Sequence, residues 1–170
     1  MIILYSWDGE RMIFITLGSQ KFQFNRLLKA IDKLIADGKI TDEVFAQIGY
    51  SDYIPVHFQY KTFLDREEFA EYEEKADIII THGGTGAIIG AVKKGKKVVA
   101  VPRKAIYGEH VDDHQMQLVE QFKELNLICD CEKVEELDEA IEYAKKTKFV
   151  RYKSSTEAVV NSIEKYIESI

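Results

Sequence analysis

Six consecutive residues, Thr81-His82-Gly83-Gly84-Thr85-Gly86, carry the pattern with the clearest chemistry in this chain. They follow the apolar run Asp77-Ile78-Ile79-Ile80 directly, and a helical pattern opens behind them. A buried strand that ends in a glycine-rich turn and continues as a helix presents free backbone N–H groups to an anion, usually a phosphate. A second constellation lies downstream. It consists of Pro102-Arg103, then Gly108-Glu109-His110-Val111-Asp112-Asp113-His114-Gln115, six polar or ionisable side chains in eight positions. Together the two segments read as a nucleotide diphosphate site with a sugar-reading edge.

Each residue type suits a part of that task. Gly83, Gly84 and Gly86 let the backbone turn tightly and approach a ligand. The first amides of the following helix lack intrahelical partners and can donate to diphosphate oxygens. Each such charge-assisted bond contributes about 1.5–3 kcal/mol, enough to hold a leaving diphosphate without a metal. His82 has three open roles: a satisfied strand-end histidine, a phosphate contact or an acid. Arg103 is either a planar phosphate donor or a plain surface charge. The Gln115 amide can donate to and accept from sugar hydroxyls. Asp112 or Asp113 is a natural cap for the next helix, and a solvated capping segment is the bland alternative for both. His110 and His114 straddle that helix start and do not form a regular helical pair, which disfavours a metal site. A dinucleotide fingerprint is disfavoured too. Ile89 takes the place of its last glycine, and the turn follows the fourth strand instead of the first.

The elements that must position these residues alternate along the chain. Strands are predicted at Ile13–Leu17, Val44–Gly49, Val56–Tyr60, Ile78–Ile80, Lys97–Pro102 and Leu127–Asp130. Helices are predicted over about 21–37, from Asp65 to about Lys75, from Gly84 to Gly95, from Gln115 to Leu125 and from about Val134 to Lys145. A last helix is expected from about Ser154 to Ser169, with Val159, Ile163, Tyr166, Ile167 and Ile170 as its stripe. Asp65 and Glu68 have the spacing of a capping box. This order predicts an α/β domain with a single doubly wound parallel sheet. In such sheets ligands bind beyond the carboxyl ends of the strands, where Gly18-Ser19, His82–Gly86 and Pro102–Gln115 all fall. His57 reads as structural, and the run Glu67–Glu74 as a solvated helix face.

Length and composition narrow the class further. A chain of 170 residues supports one domain with a sizeable core. Met12 opens a clean strand, so residues 1–11 are expected to be an extension ahead of the native start, with 12–170 as the domain. A net charge of −6 argues against non-specific nucleic-acid binding. No apolar run reaches the length of a membrane span, and residues 1–11 lack a signal-peptide pattern. Cys129 and Cys131, two apart on a strand, are expected to be core thiols on one face.

The order Ile15-Thr16-Leu17-Gly18-Ser19, Thr81–Gly86, Val101-Pro102-Arg103 and Gly108–Gln115 resembles the C-terminal, donor-binding domain of family 28 glycosyltransferases of the MurG-like kind. Within that family it is most like stand-alone PssE/EpsF-type subunits of exopolysaccharide synthesis. The resemblance runs from Met12 through nearly the whole chain. It implies the Rossmann-like half of a GT-B fold that binds a UDP-sugar as donor substrate, with no other cofactor and no metal. Gly18, Ser19, His82, Gly83, Gly84, Thr85 and Gly86 would face the diphosphate. Asp113, His114 and Gln115 would face the sugar, with His110 and Glu109 beside them and Arg103 near the uracil. His82 and Gln115 are the expected catalytic pair. Gly90 stands where MurG-like domains carry a ribose-binding glutamate, a contact Glu109 would have to replace. The missing second domain implies a membrane-associated partner that binds a lipid-linked sugar acceptor and supplies the base. The chain would then be a cytoplasmic hexosyltransferase subunit of bacterial polysaccharide synthesis, recruited by its partner to the inner face of the membrane. The alternative is a non-catalytic nucleotide-sugar-binding subunit that activates a partner transferase.

Overall fold

Met12–Thr16 form the first strand, β1, and every residue of it is buried, so both faces of the sheet must be covered. The structure, a computed structural model, describes residues 11–155 and Ile167. The expected extension (Arg11 apart) and the expected last helix from Thr156 onward, Ile167 apart, lie outside the described residues. After β1 come α1 (Asn25–Ala36), β2 (Glu43–Gln47), β3 (Gln59–Lys61), α2 (Arg66–Lys75) and β4 (Ile78–Thr81). Then follow α3 (Thr85–Lys93), β5 (Lys97–Ala100), α4 (His114–Glu124), β6 (Cys129–Asp130) and α5 (Leu137–Lys146). No described helix is long and apolar enough to cross a membrane.

The strands form one six-stranded sheet in the order β3-β2-β1-β4-β5-β6, every pair parallel. Alternation along each strand sorts its side chains between two cores. Ile13, Ile15, Ile78, Ile80 and Val99 pack with Leu27, Leu28 and Ile31 of α1 and with Leu137 and Ile141 of α5. Phe14, Ile79, Val98 and Ala100 pack on the other face with Ile88 and Val92 of α3, Val119 of α4, and Phe69 and Tyr72 of α2. Cys129 and Cys131 share the first core as free thiols. Burial pushes their pKa values up to about 11 and about 12, as expected of inert core thiols.

Local chemistry sets the ends of the elements. The capping box forms as expected: Asp65 Oδ1 accepts from the Glu67 and Glu68 amides at 2.9 Å, and the Asp65 N–H donates to Glu68 Oε2 at 3.3 Å. Several boundaries differ from expectation, among them the last strand, which starts at Cys129 and not at Leu127. The first helix starts at Asn25, because the Phe24 amide is taken by Ser51 Oγ at 2.9 Å. The third strand starts at Gln59, because buried Asp32 captures the Val56 and His57 amides, each at 2.8 Å, along with the Tyr53 hydroxyl at 2.7 Å. His57 therefore lies ahead of the strand, with Nδ1 3.2 Å from Asp32 Oδ1, in a structural role. The helix expected from Val134 opens with a 3-10 turn over Val134–Glu136. The acidic face of α2 is solvated except at Glu73, which is buried and paired with Lys94.

Candidate functional site

The strand order reverses direction between β1 and β4, so the loops that leave them part and open a crevice at the carboxyl ends of the strands. Thr16 pairs with Thr81 at that end, which sets Gly18 beside His82. The His82 ring lies between two glycines. A Cβ on Gly18 would stand 2.7 Å from its Cε1, and a Cβ on Gly84 would stand 2.5 Å from its Nε2. Gly18 also takes φ +71°, the left-handed region that a side chain disfavours. These two glycines therefore make room for the imidazole. Gly86, by contrast, has nothing within 4 Å of where a Cβ would be. It is the glycine of the turn whose surroundings are open.

Gly84 caps α3 without a side-chain bond, and the first helical bond runs from the Ile88 N–H to the Gly84 carbonyl at 3.0 Å. The amides of Thr85, Gly86 and Ala87 precede that ladder, and Thr85 and Gly86 are exposed. His82 is 6 % exposed, and its Nδ1 lies 3.4 Å from the Thr16 carbonyl oxygen and 3.3 Å from Thr81 Oγ1. A carbonyl can only accept, so this contact favours the Nδ1–H tautomer and leaves the Nε2 lone pair on the Gly84 side. Burial, followed by the positive Arg103, lowers the His82 pKa to about 4. The ring is neutral at physiological pH, which removes the role of resting acid.

Arg103 is buried at 1 % exposure, which overturns the surface-charge reading. Its Nη2 donates to the Leu17 carbonyl at 2.8 Å and the Phe22 carbonyl at 3.3 Å, binding the β5–α4 segment to the Gly18-Ser19 loop. Burial lowers its pKa to about 10, opposed by Glu109, so it remains a cation. Its Nε and Nη1 have no hydrogen-bond partner, and neither has Gln115 Oε1 at the start of α4. These orphaned buried groups gather around the loops that the sequence singled out.

Glu109 differs from its expected part as a ribose contact. It is fully buried, and both oxygens are engaged: Arg26 Nε and Nη2 donate to Oε1 and Oε2 at 2.9 Å, and the Lys104 amide donates to Oε2 at 2.9 Å. Nothing in the sequence singles out Arg26, because a cation on an amphipathic helix reads as solvated. The capping expectation changes as well. Asp113 stands at the N-cap, yet its Oδ1 accepts from the Ala105 amide at 2.9 Å. Asp112 Oδ1 accepts from the His114 amide at 3.0 Å instead. His110 rests against Phe22, ring centroids 5.1 Å apart, with Nδ1 3.3 Å from Asp112 Oδ1. Ser19 and His114 are exposed at the loop surface. Among the described residues the group able to gather ligand atoms around a cation is Glu120, Asp130 and Glu132, all outside the crevice.

The chain is 28 % identical over 132 residues to the human UDP-N-acetylglucosamine transferase subunit ALG13, a match over 71 % of this chain and 11 % of that protein. It spans less than half the length of the curated relatives it matches. The glycosyltransferase of kitacinnamycin superposes with a TM-score of 0.62 at 18 % identity, over 81 % of this chain and 35 % of the other. MurG of Acinetobacter baumannii superposes with a TM-score of 0.58 at 19 % identity, over 82 % and 42 %. The fold is thus the Rossmann-like half of a GT-B glycosyltransferase. Residues 12–170 match the model of the glycosyltransferase family 28 C-terminal domain, and the chain belongs to that family.

Proposed function

We propose that this chain is the UDP-sugar-binding subunit of a two-protein hexosyltransferase. The observation that carries the reading is the open first turn of α3. There the free amides of Thr85, Gly86 and Ala87 and the uncrowded Gly86 face the crevice of a family 28 domain. The diphosphate lies across that turn and against Gly18 and Ser19, its charge balanced by backbone amides and the helix dipole, with no metal required. Gly83 sets the turn with φ +87°, and Arg103 holds the two loops in register. Gln115, His110, Asp113 and His114 form the sugar-facing edge. The unpartnered Gln115 Oε1 is an acceptor suited to a sugar hydroxyl. Glu109 acts as a strut for this edge and not as a ribose contact.

A second protein supplies the acceptor, a lipid-linked sugar, and the base that deprotonates its hydroxyl. The human relative is named a transferase subunit, which supports this division. So does the rim of the crevice, where Ile106 and Val111 are 83 % and 75 % exposed and suit a covering partner. Bacterial polysaccharide synthesis at the inner face of a membrane is the setting this reading favours. The test is a thermal-shift series with UDP, UDP-hexoses, NAD and NADP. UDP and at least one UDP-hexose are expected to raise the melting temperature in proportion to RT ln(1 + [L]/Kd), and the dinucleotides are not. Stabilisation by NAD alone would overturn the assignment.

A further inference from the structure

We propose that a basic groove at the opposite end of the sheet from the crevice attaches this protein directly to an anionic lipid bilayer. The groove encloses about 380 Å3 between the end of α3, the start of β5 and the segment 147–151. Lys93, Lys94, Lys96, Lys97, Lys148 and Arg151 line it, and among the described residues no carboxylate does. Lys94 is paired with Glu73. The ammonium groups of Lys96 and Lys97 rest on the Glu74 and Lys145 carbonyls, contacts that neutralise no charge. A chain of net charge −6 therefore carries a groove with a cationic lining, and Asp42 and Asp77 lie with Lys96 and Lys97 in the adjoining hollow only.

Aliphatic side chains accompany the cations. Val150 in the groove is 55 % exposed, and its N–H donates to the Asn126 carbonyl at 2.9 Å, which brings it beside Leu125 at 64 % exposure. Leu125 is the C-cap residue of α4, and its side chain lies in solvent. Exposed aliphatics ringed by cations match a surface that sits at headgroup depth. The preponderance of lysine over arginine favours lipid over a protein partner, since protein interfaces are enriched in arginine and depleted in lysine. Attachment at this end also leaves the crevice free for nucleotide and for the acceptor protein.

The experiment is co-sedimentation of the full chain with vesicles of phosphatidylcholine alone and of an equimolar mixture with phosphatidylglycerol. Binding is expected to the mixed vesicles only, and to weaken steeply with added salt. Each cation near such a surface multiplies binding by roughly fivefold, so Lys148→Gln with Arg151→Gln is expected to lower it by roughly 25-fold. Val150→Asp is expected to weaken it with every cation in place. Equal binding to neutral vesicles, unchanged binding by the double variant, or no binding at low salt would each overturn the proposal. Capture of polyglutamate as tightly as the mixed vesicles would also overturn it, in favour of an acidic protein. None of these readouts depends on UDP, so a failure here leaves the donor-site reading intact.

Discussion

Gly84 and Gly86 are indistinguishable in the sequence and serve different ends in the fold. Gly84 yields space to His82, so a methyl group there must displace the imidazole. Gly86 yields space to solvent, in the first turn of α3. Gly86→Ala is therefore expected to leave the melting temperature unchanged or raise stability by up to about 1 kcal/mol, because alanine is the better helix former. The same variant is expected to weaken UDP at least roughly tenfold in calorimetry, a loss of about 1.4 kcal/mol. Full affinity in Gly86→Ala would remove the diphosphate from this turn. His82 gives a pH signature. Its folded pKa of about 4 lies below the unfolded value of 6.5. Between those values the unfolded chain binds the extra proton, so stability rises with pH. This contribution is complete above pH 6.5 and is lost as the pH falls toward 4, by about 3 kcal/mol in all. Denaturant titrations from pH 7 to pH 4 are expected to show that slope in the native chain and its absence in His82→Gln. The residue types at the crevice were legible because glycine, histidine and glutamine were read at fixed offsets from a strand. Which glycine served the ring and which the ligand was not legible, since that depends on side chains meeting across β1 and β4.

At the scale of elements, the segment between β5 and α4 is held by ionic contacts that reach α1. Arg26 spans from α1 to Glu109 and to the Pro102 carbonyl, at 3.3 Å, while Arg103 reaches back to the loop after β1. Removing the charge of Glu109 leaves two guanidinium groups in a dry setting, which is the costly way to break a buried pair. Glu109→Gln is expected to lose about 3 kcal/mol of stability in urea melts. It is also expected to weaken UDP-sugar binding, although on this structure Glu109 itself lies under the loop. Retained stability would show that Arg26 finds another acceptor. The sequence marked this segment as polar and placed it before a helix. It did not reveal the strut, because Arg26 precedes Glu109 by a long stretch of chain and nothing local couples them. The capping box at Asp65 was legible for the opposite reason, as all its partners lie within one turn. Asp113 shows the limit of that local rule: the Ala105 amide competes successfully for the carboxylate that the helix start would have used.

At the scale of the molecule, alternating strands and helices were enough to read a parallel sheet, since parallel neighbours require crossovers. The direction reversal at β1 and β4 was not written in any local pattern. It follows from how two apolar faces of each strand are shared between α1 with α5 and α2 with α3 and α4. On the reading proposed above, the crevice at that reversal takes the donor and leaves the acceptor to a second protein. A transferase must exclude water around the anomeric carbon and place a base on the acceptor hydroxyl. Here the His82 ring is buried between Gly18 and Gly84, and the apolar rim at Ile106 and Val111 lies open. The isolated chain is therefore expected to bind a UDP-hexose, registered as a raised melting temperature, while releasing no UDP above the uncatalysed rate. Addition of a soluble sugar acceptor is expected to change neither result, because proximity without a base leaves the displacement barrier in place. Steady UDP release by the chain alone, lost in His82→Gln, would mean that this half carries its own base and that the two-protein division is wrong.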